Sequence, residues 1–138
     1  MMENSEIKIL ILDDDLLCLE SLSNFLASEG YSVETSSDID AAWDAIDRVS
    51  FDVVATDYML KESNGLELIK HTKQVKPDTF TILFTGYSSP ELLLKLKTHP
   101  VDLFLAKPLV LKKILCLLDT LVRDKRTKEI QEINERRI

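Results

Sequence analysis

Five polar side chains stand at the ends of short apolar runs in this chain, and their types belong together. Asp13 and Asp14 follow IKILIL (7–12), Asp57 follows FDVVAT (51–56), Thr85 follows FTILF (80–84) and Lys107 follows DLFLA (102–106). Three carboxylates held within a few ångströms repel one another, so some must take up protons or share a cation. Ligands made only of oxygen select a hard cation, Mg2+ by default or Mn2+ in its place. A lysine opposite them would offset part of the negative charge and hold an anionic oxygen. Divalent cation, ammonium and hydroxyl together are the groups that neutralise a phosphoryl group in transfer. One carboxylate would then be left as nucleophile, forming an aspartyl phosphate.

These residues converge only if the runs are parallel strands. IKILIL is short and nearly all apolar, as a strand buried on both faces must be. Residues 16–28 have helical spacing, with Cys18, Leu22, Phe25 and Leu26 on one stripe and Gly30 as the stop. That stripe places Leu16 and Leu19 facing outward, and makes Cys18 and Cys116 small core fillers. A brief alternating strand follows over 31–35, then a helix that Asp38 opens and that runs to about Val49. The unit repeats: strand 51–56, helix from about Gly65 to Gln74, and strand 80–84. Next come a helix opened by Ser88, Ser89 and Pro90 and running to about Thr98, strand 102–106, and a helix from near Leu109. In that last helix Ile114, Leu117, Leu118 and Leu121 face inward. Five apolar strands alternating with five amphipathic helices predict an α/β domain with a parallel sheet and right-handed crossovers. In such sheets ligands bind outside the carboxyl ends of the strands, where the five polar residues fall.

Composition narrows the class. The chain has 138 residues, 45% apolar and 30% charged, which fits one globular domain. No apolar run approaches the ~18 residues that would span a bilayer, and the N-terminus MMENSEIK is too polar for a secretory signal. The two cysteines lack metal or redox spacing, so the chain is expected in a reducing, cytoplasmic setting. Three glycines, Gly30, Gly65 and Gly86, exclude a dinucleotide fingerprint and a P-loop. His71 and His99 have no ligand-spaced partners. Net charge is −7, unevenly spread: 123–138 holds six basic and four acidic groups, leaving 11 basic and 20 acidic in 1–122. An acidic body disfavours direct nucleic-acid binding and suits a metal cation.

The segments ILILDDD (9–15), VVATDYML (53–60) with Gly65 following, ILFTG (82–86) and FLAKPL (104–109) resemble the receiver domain of two-component response regulators. The likeness covers roughly residues 5–122, with 123–138 a charged helical extension or linker. It implies a single doubly wound, flavodoxin-like sheet of five parallel strands in order 2-1-3-4-5, flanked by five helices. It implies Asp57 as phosphoacceptor, Asp14 as a direct Mg2+ ligand, Asp13 acting through a metal-bound water, and the Met59 carbonyl completing the site. Lys107 would contact the phosphoryl group, and its bond to Pro108 is expected to be cis. Thr85 and Phe104 resemble the pair that switches state, repacking the helix and strand that follow. The implied donor is a histidine kinase or histidine phosphotransfer protein, with outward Leu16 and Leu19 as a docking patch and the effector downstream unassigned. Such a domain is no enzyme beyond its own labelling and slow dephosphorylation. Two departures from the pattern are Lys61, where many relatives have proline, and Ser63-Asn64 before Gly65.

The alternative is a haloacid-dehalogenase-like Mg2+-dependent phosphatase using Asp13, since Asp13 and Asp15 form a DxD. Against it, Leu17 stands where that motif wants Thr or Val, no acidic pair follows Lys107, and the chain is short for that fold. Asp15 instead reads as a helix cap. A phosphorylation-dead module of the same fold would not need the acceptor, acidic pair, Thr and Lys together. An FMN carrier would need a phosphate-binding loop after the first strand. Met59 and Tyr87 occupy the positions that, in the resembled family, help set dephosphorylation rate. Met59 is apolar and cannot orient an attacking water, so the aspartyl phosphate is expected to be long-lived. A chase of the labelled protein checks this, and decay within seconds would refute it.

Overall fold

The computed structural model describes residues 7–86, 89–99 and 101–136. Residues 1–6, Tyr87, Ser88 and Ile138, which carried sequence expectations, lie outside them. The chain alternates β1 (Lys8–Leu12), α1 (Leu16–Ser28), β2 (Ser32–Ser36), α2 (Ile39–Arg48), β3 (Val53–Asp57) and α3 (Gly65–Val75), then β4 (Phe80–Thr85), α4 (Pro90–Leu96), β5 (Leu103–Ala106) and α5 (Leu111–Arg136). All strand pairs are parallel and the order is β2-β1-β3-β4-β5. The central strands are almost wholly buried, whereas the edge strands β2 and β5 are not. That difference is why the central strands read as continuous apolar runs while β2 reads as alternating.

Successive strand residues point to opposite faces. On one face Ile9, Ile11, Val53, Ala55, Ile82 and Phe84 pack with α1 and α5. On the other, Leu10, Leu12 and Val54 pack with α2 and α3, while Leu83 packs with α3 and α4. The helices are therefore wound on both sides of the sheet.

Local chemistry sets the ends. Asp15 caps α1, its carboxylate accepting the Leu17 and Cys18 N–H groups. At the other end Gly30 takes φ 95°, the Gly30 N–H bonds Ala27 O, and the Tyr31 N–H bonds Leu26 O. A side chain would be strained at that φ. Asp38 and Ser89 cap α2 and α4 as expected, but α4 ends at Leu96 and α5 starts at Leu111. The Lys107–Pro108 bond is cis.

Three expectations need correction. Leu19 is buried at 6% exposure in the α1/α5 core, with Leu22 and Leu26, so it is no docking residue; Leu16 is 60% exposed. The stripe is rotated toward Leu19 because burying a leucine there contributes more than burying the thiol of Cys18, which is only half-buried. Cys116 lies on the exposed side of α5 and fills no core. Leu117 and Leu121 do pack inward, half-buried against the row of Ile114 and Leu118 that Val122 completes.

Side-chain links tie elements distant in sequence. Tyr31 donates its hydroxyl to Asp119 on α5 at 2.8 Å. His71 on α3 stacks on Trp43 of α2 at 3.8 Å and contacts Asp47 at 2.7 Å. At the foot of β5, Asp102 accepts from Lys73 Nζ (2.6 Å), the Thr81 N–H (2.8 Å) and the Thr81 hydroxyl (3.1 Å). Burial alone would raise the Asp102 carboxyl, but the Lys73 ammonium and the Thr81 donors outweigh it and hold it below its ordinary value. A depressed carboxylate stabilises the fold above its unfolded value of about 3.9, and this is lost as pH falls through the folded value. Asp102→Ala is expected to lower unfolding free energy by about 1 kcal/mol at neutral pH, discounted for exposure. In urea titrations the gap from the parent protein should narrow in acid; a gap that widens would contradict the assignment.

Candidate functional site

Register places the site. Leu12 pairs with Thr56, Asp57 with Phe84, and Thr85 with Ala106, so the residues leaving β1, β3, β4 and β5 lie side by side at one rim. Asp13, Asp14 and Asp57 each bring a carboxylate oxygen within 4.8 Å of the others. Lys107 reaches across: Nζ lies 3.0 Å from Asp13 Oδ2 and 3.1 Å from Asp57 Oδ2. Asp13 is 1% exposed and Asp57 8%, whereas Asp14 is half-buried. The second Asp13 oxygen accepts the Asp15 N–H at 2.9 Å, which fixes that carboxylate's orientation.

Electrostatics follow from this packing. Burial pushes the Asp57 carboxyl above its ordinary value and the Asp13 charge adds to the rise; the Lys107 ammonium and the Met59 N–H oppose it. Burial would lower Lys107, but its bonds to Asp13 and Asp57 and their charges carry it above its ordinary value. Lys107 therefore stays cationic at neutral pH. Cys18 sits beside this cluster, its thiol pushed up by burial and by the Asp13 charge, which favours the protonated form.

The loop after Asp57 is held by backbone. The Tyr58 N–H donates to Phe84 O (2.9 Å), the Gly65 N–H donates to Tyr58 O (2.8 Å), and Met59 bridges Asn64. Asn64 caps α3 through its side chain, accepting the Leu66 N–H at 3.0 Å. The departure at Asn64 thus has a structural task, which a cap search before Gly65-Leu66 would have found. The Met59 side chain is 59% exposed.

Thr85 is buried at the rim, and its carbonyl accepts the Lys107 N–H at 2.8 Å. Phe104 is half-buried against Leu66, Ile69, Leu83 and Leu92. Tyr58 packs against the same cluster, a placement the sequence reading missed because no spacing rule marks the residue after a strand-end aspartate. Phe84 was missed as well: it read as core, yet Lys107 Nζ lies 5.3 Å from its ring centroid.

Comparison with known proteins agrees with this geometry. Residues 9–119 match the response regulator receiver domain model, and the chain belongs to that family. Among solved structures it is similar to a CheY-like receiver domain protein from Methanospirillum hungatei JF-1, with a TM-score of 0.81 and 26% identity, covering 88% of this chain and 98% of that one. A Burkholderia pseudomallei response regulator, solved with a phosphorylated aspartic acid, a calcium ion and citrate, is 27% identical at a TM-score of 0.75, covering 91% and 74%. Response regulator MprA of Mycobacterium sp. (strain KMS) is 31% identical over 117 residues, 85% of this chain. The chain spans 51% of MprA and 23% of the transcriptional regulator NtrC of Azospirillum brasilense.

The chain is thus a phosphoryl-accepting signalling receiver. The comparisons give the phosphatase alternative no support, and the Asp15 carboxylate of its DxD is turned to the N-terminus of α1. No described helix is long and apolar enough to cross a membrane.

Gly65 has a spatial reason. A Cβ there would lie 2.2 Å from Asp57 O and 2.8 Å from Thr56 Oγ1, while one on Gly86 would meet only Lys107 Cβ at 3.8 Å. Gly65→Ala is expected to cost about 1–3 kcal/mol in urea unfolding and Gly86→Ala less than about 0.5 kcal/mol. Equal losses would remove the close-approach argument.

Proposed function

We propose that Asp57 is the phosphoacceptor, taking a phosphoryl group from a phosphohistidine of a histidine kinase or histidine phosphotransfer protein. The observation that carries this is one ammonium, Lys107, bonded to two nearly buried carboxylates beside a third. An all-oxygen set fits Mg2+ (or Mn2+), with Asp13, Asp14, Asp57 and the Met59 carbonyl as its holders. A divalent cation there supplies charge neutralisation for the incoming phosphoryl oxygens.

An Asp57 carboxylate oxygen attacks phosphorus in line with the P–N bond of the donor. That bond breaks, and the departing imidazole keeps the electron pair and is protonated by water. Lys107, already beside Asp57, turns its ammonium to a phosphoryl oxygen, and Thr85 offers its hydroxyl to another. Thr85 and Phe104 lie on the same face of neighbouring strands, since Leu83 pairs with Phe104 and Thr85 with Ala106. Movement of the threonine frees space into which the ring turns, altering the surface of α4 and β5 and thereby partner affinity. Water attack later returns Asp57 and inorganic phosphate, the only turnover assigned to the chain.

The receiver is assigned to 1–122 and the charged stretch 123–138 to an extension or linker, which α5 enters as far as Arg136. Exposed Leu16, without Leu19, is the docking residue, joined by Leu17 at 78% exposure. The acidic body supports a cytoplasmic protein partner rather than direct contact with nucleic acid.

Acetyl phosphate with Mg2+ should retard the protein in phosphate-affinity electrophoresis, and Asp57→Ala should abolish the shift. An undiminished shift in that variant would overturn the assignment.

A further inference from the structure

The Phe84 ring touches the site without belonging to its polar set. Its side chain is 1% exposed, in the core that β4 shares with α1 and α5. Lys107 Nζ lies over the ring, 5.3 Å from its centroid, inside the ~6 Å within which an ammonium is attracted to an aromatic face. The same ammonium bonds Asp13 and Asp57. Phe84 is also the register partner of Asp57, and its carbonyl holds the Tyr58 N–H. One residue thus sets the backbone of the acceptor and presents an electron-rich face to the cation that serves it.

We propose that Phe84 is a positioning residue for the phosphoryl-transfer reaction: its ring face holds the Lys107 ammonium poised between Asp13 and Asp57. The Lys107 side chain is 22% exposed, so part of its hydration is gone. A ring face replaces that hydration without offering a competing acceptor, and leaves the N–H groups directed at oxygens. An aliphatic side chain of the same bulk would exclude water equally but would not attract the charge. The inference rests on the phosphoacceptor reading of Asp57.

Truncation alone is a poor test. Phe84 borders an apolar cavity of about 20 Å³ lined also by Leu105, Leu109, Ile114 and Leu118. Phe84→Leu would enlarge it and lose stability for reasons unrelated to charge. Mono-, di- and trifluorinated phenylalanine at position 84 keep the shape while progressively removing the negative ring face. Acetyl phosphate labelling with Mg2+ should slow stepwise, by about twofold to thirtyfold across the series, and the dependence should vanish in Lys107→Met. Without any metal, the Lys107 terminal methylene protons should show an upfield ring-current shift that Phe84→Leu abolishes. A flat labelling series, a dependence that survives Lys107→Met, or unshifted methylene protons would overturn the proposal. Absence of any labelling of the unmodified protein would instead overturn the phosphoacceptor reading.

Discussion

Two nearly buried carboxylates cannot share the end of a parallel sheet without a cation, and Lys107 is that cation. The penalty for removing each charge from water is several kcal/mol even after relaxation. A single ammonium at 3.0 and 3.1 Å offsets it for both, which requires β1, β3 and β5 to stop at the same rim. Asp13, Asp14 and Asp57 against Lys107 leave two formal negative charges when all are ionised, the complement of a divalent ion. Burial still pushes Asp57 upward, so this carboxylate remains short of full compensation. The fold therefore holds a site whose electrostatics improve when positive charge enters.

β4 carries the consequences to both layers of the domain. Phe84 faces the α1/α5 core, while Leu83 lies in the cluster with Leu92, Tyr58 and Phe104. Thr85, two residues on from Leu83, lies on that second face. A displacement of Lys107 is felt through Phe84 on one side, and a displacement of the Thr85 hydroxyl on the other. Tyr58 adds a third link: it follows Asp57 directly, is held by Phe84 O and Gly65 N, and packs on the same apolar cluster as Phe104. Because packed cores are bistable rather than continuously deformable, the proposed shifts at the rim would be read out as discrete repacking of α4 and β5.

Most of the acidic rim was legible in the sequence because a polar residue closing an apolar run is both a strand end and a candidate ligand. Asp13, Asp57, Thr85 and Lys107 all carry that double signal, and the sheet order followed from the family resemblance. The phase of α1 was not legible: leucines at 16, 17, 19, 22 and 26 support two overlapping stripes, and only packing against Ile9, Ile11 and α5 selects Leu19. Gly65 could be recognised as part of a pattern, but its reason is a contact with Asp57 O across a loop. Likewise the Lys73–Asp102–Thr81 and Tyr31–Asp119 links join residues with no sequence periodicity between them. Cys116 misled because its type favours burial while its position on α5 lies off the row of Ile114, Leu118 and Val122.

The uneven charge of the chain acquires a spatial sense from the fold. Beyond Val122, α5 is tied to the sheet by Lys125, whose Nζ lies 3.4 Å from Asp52 Oδ1, while Asp52 Oδ2 accepts the Lys8 N–H. Lys8 and Asp52 stand at the amino ends of β1 and β3, opposite the rim that holds Asp13 and Asp57. A five-residue strand spans about 16 Å, roughly twice the screening length at physiological salt. Arg123, Lys125 and Lys128 therefore leave the acidic rim's field nearly untouched and do not compete with a divalent ion for it. A half-exposed ion pair such as Lys125–Asp52 contributes about 1 kcal/mol or less. What carries α5 on to Arg136 is elongation of a helix already nucleated against the core, since each added residue then needs no new nucleus.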